Sequence, residues 1–123
     1  MKRLLKKSLC YLLITFIVFT CCGCSNYYKT DSITLAESFT ENTAVLPDEI
    51  VQYMVSLWGE LRWKRGYTKT AYDFEFELES GEQLRYVSDK GLFQDYENDC
   101  RAYVSEEQRI YINTMIDEQL TKE

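Results

Sequence analysis

From Tyr72 to Glu79 the chain reads Tyr-Asp-Phe-Glu-Phe-Glu-Leu-Glu, apolar and acidic side chains alternating without a break. Successive side chains of a strand point to opposite faces, so this run is a strand with one buried and one wet face. Gly81 turns the chain, and Leu84-Arg85-Tyr86-Val87 returns. A three-residue loop with Gly81 left-handed sets Phe76 against Leu84, Phe74 against Tyr86 and Glu75 against Arg85. A two-residue loop would put Phe76 opposite Arg85 and mix the faces, so the longer loop is predicted.

The flanking segments supply partners for that hairpin. Ser32 to Phe39 alternates, with Ile33, Leu35 and Phe39 on one side, and predicts a strand. Thr40 to Leu46 reads as a loop. Pro47-Asp48-Glu49 opens a helix, because proline suits the first helical position and acids complement the dipole. Ile50, Tyr53, Met54, Leu57, Trp58 and Leu61 form its buried stripe. Arg62, Lys64 and Arg65 cluster at its end, where Gly66 suits a left-handed cap. After the hairpin, Asp89-Lys90-Gly91 turns the chain into a strand starting at Leu92-Phe93. Asn98-Asp99 turns it again into a short strand from Cys100 to Val104. Ser105-Glu106-Glu107-Gln108 is a capping box, and Ile112, Met115, Ile116 and Leu120 make the stripe of a final helix. The expected fold is a single α+β domain over residues 33–123. It is a small antiparallel sheet of about four strands, covered on one face by two amphipathic helices.

Ahead of that domain stands a different kind of sequence. Lys2, Arg3, Lys6 and Lys7 form a basic head, and the 15 residues from Ser8 to Cys22 are largely apolar. A spanning helix needs ~20 apolar residues, so this run suits the core of a signal peptide. Positive charge before it holds the N-terminus inside and sends the remainder outward. Gly23-Cys24 then resembles the lipobox of bacterial prolipoproteins, a small residue before the acylated cysteine. Cys21 stands where that family usually has leucine. The resemblance implies a signal peptide at 1–23, cleavage before Cys24 and a diacylglycerol thioether on its sulfur. It places the domain at the cell membrane, on the extracytoplasmic side. The residues alone leave two other outcomes open: release by the general signal peptidase, or retention as an uncleaved anchor. The arrangement after the leader is also similar to small lipoproteins of Gram-positive bacteria, a likeness that carries no activity with it. Ser25 to Ser32 reads as a polar tether reaching at most about 27 Å.

Charge and residue types then exclude whole classes of function. The first 23 residues hold four of the 14 basic side chains and none of the 20 acidic ones. The remaining 100 residues therefore carry a net charge of −10, which repels nucleic acid. There is no histidine, which removes Ser–His and Cys–His pairs and the HExxH zinc site. Beyond Cys24 the one cysteine is Cys100, so no internal disulfide forms once Cys24 is acylated. Cys100 reads as a buried small hydrophobe, an intermolecular bridge or a reactive thiol. No cofactor and no resident metal are expected.

Three groups of side chains remain as candidates. Glu75, Glu77 and Glu79 share a strand face ~7 Å apart, and paired carboxylates hydrolyse glycosides, yet such a run is ordinarily a wet face. Asp95, Glu97, Asp99 and Glu106 fall at positions 1, 3, 5 and 12 of a calcium-loop register. Against that, Cys100 occupies the position where the loop needs glycine, and a solvated acidic turn accounts for the same residues. Arg62, Trp63, Lys64, Arg65, Tyr67 and Lys69 form the basic, aromatic stretch of an acidic domain. Such a stretch suits an anionic ligand, a lipid headgroup or an acidic partner; equally, it suits a helix C-terminus with Trp63 tucked into the core. The expected function is a membrane-anchored, non-catalytic accessory or protein-interaction module of the cell envelope. Its domain is monomeric and meets an envelope protein through the sheet edges or the basic stretch. The alternative is an inhibitor or immunity-type protein that turns its acidic face to a basic secreted target. A carboxylate-only hydrolase would need an apolar pocket flanked by two converging carboxylates.

Overall fold

The computed structural model describes residues 28–121; the signal peptide expected at 1–23 and Cys24 lie outside them. In chain order the elements are β1 (Ile33–Glu37), β2 (Thr43–Val45), α1 (Asp48–Glu60), β3 (Lys64–Arg65), β4 (Phe74–Leu78), β5 (Gln83–Val87), β6 (Leu92–Asp95), β7 (Cys100–Tyr103) and α2 (Glu106–Leu120). The β4–β5 hairpin has the register that the alternation requires. Phe76 faces Leu84, Phe74 faces Tyr86 and Glu75 faces Arg85. The Leu78 amide donates to the Glu82 carbonyl and the Gly81 amide to the Leu78 carbonyl. Gly81 takes φ 94°, a conformation that glycine adopts without a Cβ penalty.

All strands join one antiparallel sheet in the order β2-β1-β4-β5-β6-β7-β3. This corrects the expected fold class: the sheet has seven strands rather than about four, and the architecture is dominated by β-structure. The reason is local. β2 spans three residues inside the segment read as a loop, and β3 spans two residues read as a helix end. Runs that short carry no alternation to detect. They form because longer neighbours offer them a template, β1 for β2 and β7 for β3.

The core lies on one face of this sheet. Ile33, Leu35, Phe76, Leu84, Tyr86, Phe93 and Ala102 share that face and join a single buried cluster with both helices. α1 contributes Val51, Met54, Leu57 and Trp58, and α2 contributes Ile112, Met115 and Ile116. Trp58 is the hub, meeting Phe76 and Phe93 edge-on at 5.9 and 5.8 Å. α2 starts at its capping box: Ser105 Oγ accepts from the Gln108 amide, and Gln108 Oε1 accepts from the Ser105 amide. The Tyr86 hydroxyl donates to Asn113 Oδ1 at 2.8 Å, tying the sheet to α2, and burial pushes its pKa up.

Three local departures stand out. Phe39 does not join Ile33 and Leu35 in the core. β1 ends at Glu37, and Phe39 sits in the turn to β2 at φ 68° and 95% exposed. α1 ends at Glu60 with an extended Leu61 as its cap, so Arg62, Lys64 and Arg65 lie beyond the helix rather than in its last turn. Finally, the polar stretch before β1 is not all tether: Tyr28 is 4% exposed and belongs to the core.

Candidate functional site

The basic stretch splits as the chain leaves α1. Trp63 turns inward, 9% exposed, and its Nε1 donates to the Trp58 carbonyl at 2.8 Å. Lys64 and Arg65 form the edge strand β3, paired with Arg101 and Cys100, and both side chains are exposed. Arg62 and Lys69 are exposed as well. Tyr67 is half-exposed and packs on Tyr96 with ring centroids 4.4 Å apart. The surface set is therefore four cations, with one tyrosine beside them and the tryptophan withdrawn.

The segment after β3 folds over the second face of the sheet. Across that face the register aligns Glu75, Arg85, Gln94, Arg101 and Lys64. The Arg85 guanidinium lies over the rings of Tyr72 and Tyr96, at 4.6 and 4.1 Å from their centroids. Arg101 Nη1 donates to the carbonyls of Arg65 and Gly66 at 2.9 and 2.8 Å. Gln94 is fully buried, and its Oε1 accepts from the Thr68 amide at 2.6 Å. These contacts hold residues 66–72 down on the sheet. Of the glutamate stripe, Glu77 and Glu79 face solvent and Glu75 is half-buried.

The calcium register does not close into a site. Among the described residues no group of three or more Asp, Glu, Cys or His side chains is placed to hold a metal ion. Asp95 is buried and already accepts three hydrogen bonds: from Tyr28 Oη at 2.6 Å, from Asn98 Nδ2 at 2.7 Å and from the Asn98 amide at 3.2 Å. Glu106 begins α2 and pairs with Arg109 at 2.6 Å, which holds its carboxyl below the usual range. Cys100 is buried on β7.

A cleft that no motif announced lies between the β1–β2 hairpin and the C-terminal half of α2. It encloses about 600 Å³. Phe74, Ile116 and Leu120 supply its apolar lining; Glu37, Asn42, Asn113 and Asp117 supply polar groups. Asn42 Nδ2 reaches both Glu37 Oε2 and the Leu120 carbonyl at 3.5 Å, bridging hairpin and helix. Asn113 is fixed from behind, its Oδ1 accepting from the Tyr86 hydroxyl and its Nδ2 donating to the Ser88 carbonyl at 3.0 Å. The lining holds two carboxylates and no cation. No sequence signal marked this place, because its residues come from β1, the hairpin loop, β4 and α2.

No protein-family model, no curated protein and no solved structure matches this chain.

Proposed function

We propose that this protein is an extracytoplasmic lipoprotein, moored to the cell membrane by acyl chains on Cys24. It works as a non-catalytic accessory or protein-interaction module of the cell envelope. One observation carries the reading: a short apolar run behind four cations, ending in Gly23-Cys24. Thioether diacylation supplies two acyl chains at once, and each buried CH₂ adds ~0.8 kcal/mol, so such an anchor is stable. The test is Cys24→Ala in the full-length protein. The expected result is altered electrophoretic mobility and loss from the membrane fraction. A variant unchanged in both overturns the reading.

A second reading is an inhibitor or immunity-type protein that binds a basic secreted target. The observation that favours it is the cleft, where Glu37 and Asp117 stand over an apolar lining without a compensating cation. A lysine or arginine side chain suits such a place, its stem on Phe74 and Leu120 and its charge at the carboxylates. Binding of a basic target that survives Glu37→Gln together with Asp117→Asn would sink this version.

A further inference from the structure

The way Tyr28 is held fixes which side of the domain meets the bilayer. Its ring lies 5.7 Å from Trp58 and 5.4 Å from Trp63, and its hydroxyl donates to the buried Asp95. Position 28 is thus part of the folded body. Only four Cα–Cα steps separate it from Cys24, which spans at most about 14 Å. The polar stretch up to Ser32 therefore contributes no further slack, and the about 27 Å allowed by the sequence shrinks by half.

The exposed cations stand at the same place. Trp63, against which Tyr28 packs, is flanked by Arg62 and Lys64, both exposed. Asp95, which accepts the Tyr28 hydroxyl hydrogen bond, sits opposite Cys100, and Cys100 sits opposite Arg65. Two strand steps, about 10 Å, thus separate Asp95 from Arg65. Lys29 is exposed next to the anchoring tyrosine. Glu60, Glu97 and Asp99 are exposed nearby, as are Asp31 and Glu79, the latter held beside the entering chain by its amide's hydrogen bond to Thr30 Oγ1 at 3.0 Å, and these acids offset the charge of the cations. The cations are consequently too few to draw a free domain of net charge −10 to an anionic surface. A leash of four residues changes the balance, because it holds the patch at high effective concentration against the headgroups.

We infer that anionic phospholipid headgroups are a second binding partner of this domain, engaged by Arg62, Lys64 and Arg65 at the end where Tyr28 enters the core. The inference rests on the lipid anchor proposed above. It turns the β3 edge and the β6–β7 turn toward the membrane. The cleft lies on β1 and β4, and β1 is three strand steps from β6, about 14 Å across the sheet, so the cleft stays open to a partner.

The experiment uses the full-length protein in vesicles of phosphatidylcholine and phosphatidylglycerol, compared with the same protein in detergent. Intact mass establishes whether Cys24 carries its acyl chains, and amine acetylation is then followed lysine by lysine. Lys64 is expected to react about fivefold more slowly on these vesicles, a factor set by one cation held at the surface. Lys90, in the turn at the opposite end of β6 from Asp95, is expected to keep its rate. Arg62→Glu with Arg65→Glu should restore the Lys64 rate while the acylated protein stays on the vesicles. Equal Lys64 rates in vesicles and detergent, for acylated protein, overturn the inference and leave the anchor standing. Equal protection on pure phosphatidylcholine overturns the role of headgroup charge. A mass without acyl chains overturns the anchor and this inference together.

Discussion

The two ends of the sheet's core face are built in contrasting ways. Where Tyr28 enters, its ring packs on both Trp58 and Trp63, and a buried carboxylate accepts three hydrogen bonds of 2.6–3.2 Å. At the β1–β2 hairpin, polar side chains reach Glu37 and the Leu120 carbonyl at 3.3–3.5 Å, a cleft stands open, and an exposed phenylalanine holds a left-handed backbone. A left-handed backbone costs a non-glycine residue ~1–2 kcal/mol, and Phe39 recovers none of it by burial. The first region is organised for fixity. The second spends stability on a surface, as the contact place proposed above would.

The largest test of this contrast is Tyr28→Ala. It removes two ring contacts and leaves Asp95 without one of its donors, so it should cost about 3 kcal/mol. For a domain of this size that is a fall of about 15 °C in Tm, read by thermal melting of the full-length protein. A Tm unchanged by the substitution would mean that the tyrosine merely rests on the domain, and the contrast would be lost.

At the other end the sign should reverse. Phe39→Gly removes no buried surface and relieves the φ of 68°, so stability should rise by about 1 kcal/mol. Denaturant midpoints measure it. If the variant is instead destabilised, Phe39 has a structural role and the hairpin is not a contact surface held under strain.

The smallest effect at neutral pH concerns the wall between the two regions. Burial raises the Tyr86 hydroxyl above its ordinary value of 10.0. The folded state therefore favours the neutral phenol. Its contribution is fully present below pH 10.0 and is lost as pH rises through the folded value. Unfolding titrations above pH 10.0 should show falling stability, with a shallower fall in Tyr86→Phe. Parallel slopes would show that other groups cause the alkaline loss.

What the sequence disclosed follows from how local each feature is. Phe74, Phe76, Leu84 and Tyr86 announced their pairing because alternation and Gly81 lie within a few residues of each other. Ser105 and Gln108 announced the start of α2 for the same reason. Phe39 continued the alternation of β1 on paper, but a strand ends where its pairing ends, and Glu37 is the last residue opposite β4. Lys64-Arg65 looked like the tail of a helix because nothing local reveals that Arg101 and Cys100 lie alongside. Tyr28 and Asp95 are 67 positions apart, and only the folded sheet brings them together. The cleft was hidden for the same reason, since four separate elements supply its lining.

The sheet closes at both borders with very little strand, three residues in β2 and two charged ones in β3. Many copies crowded on one surface would find almost no unpaired backbone on a neighbour to zip against. Growth of a shared ribbon from copy to copy has no footing there, so dense packing need not end in fibres.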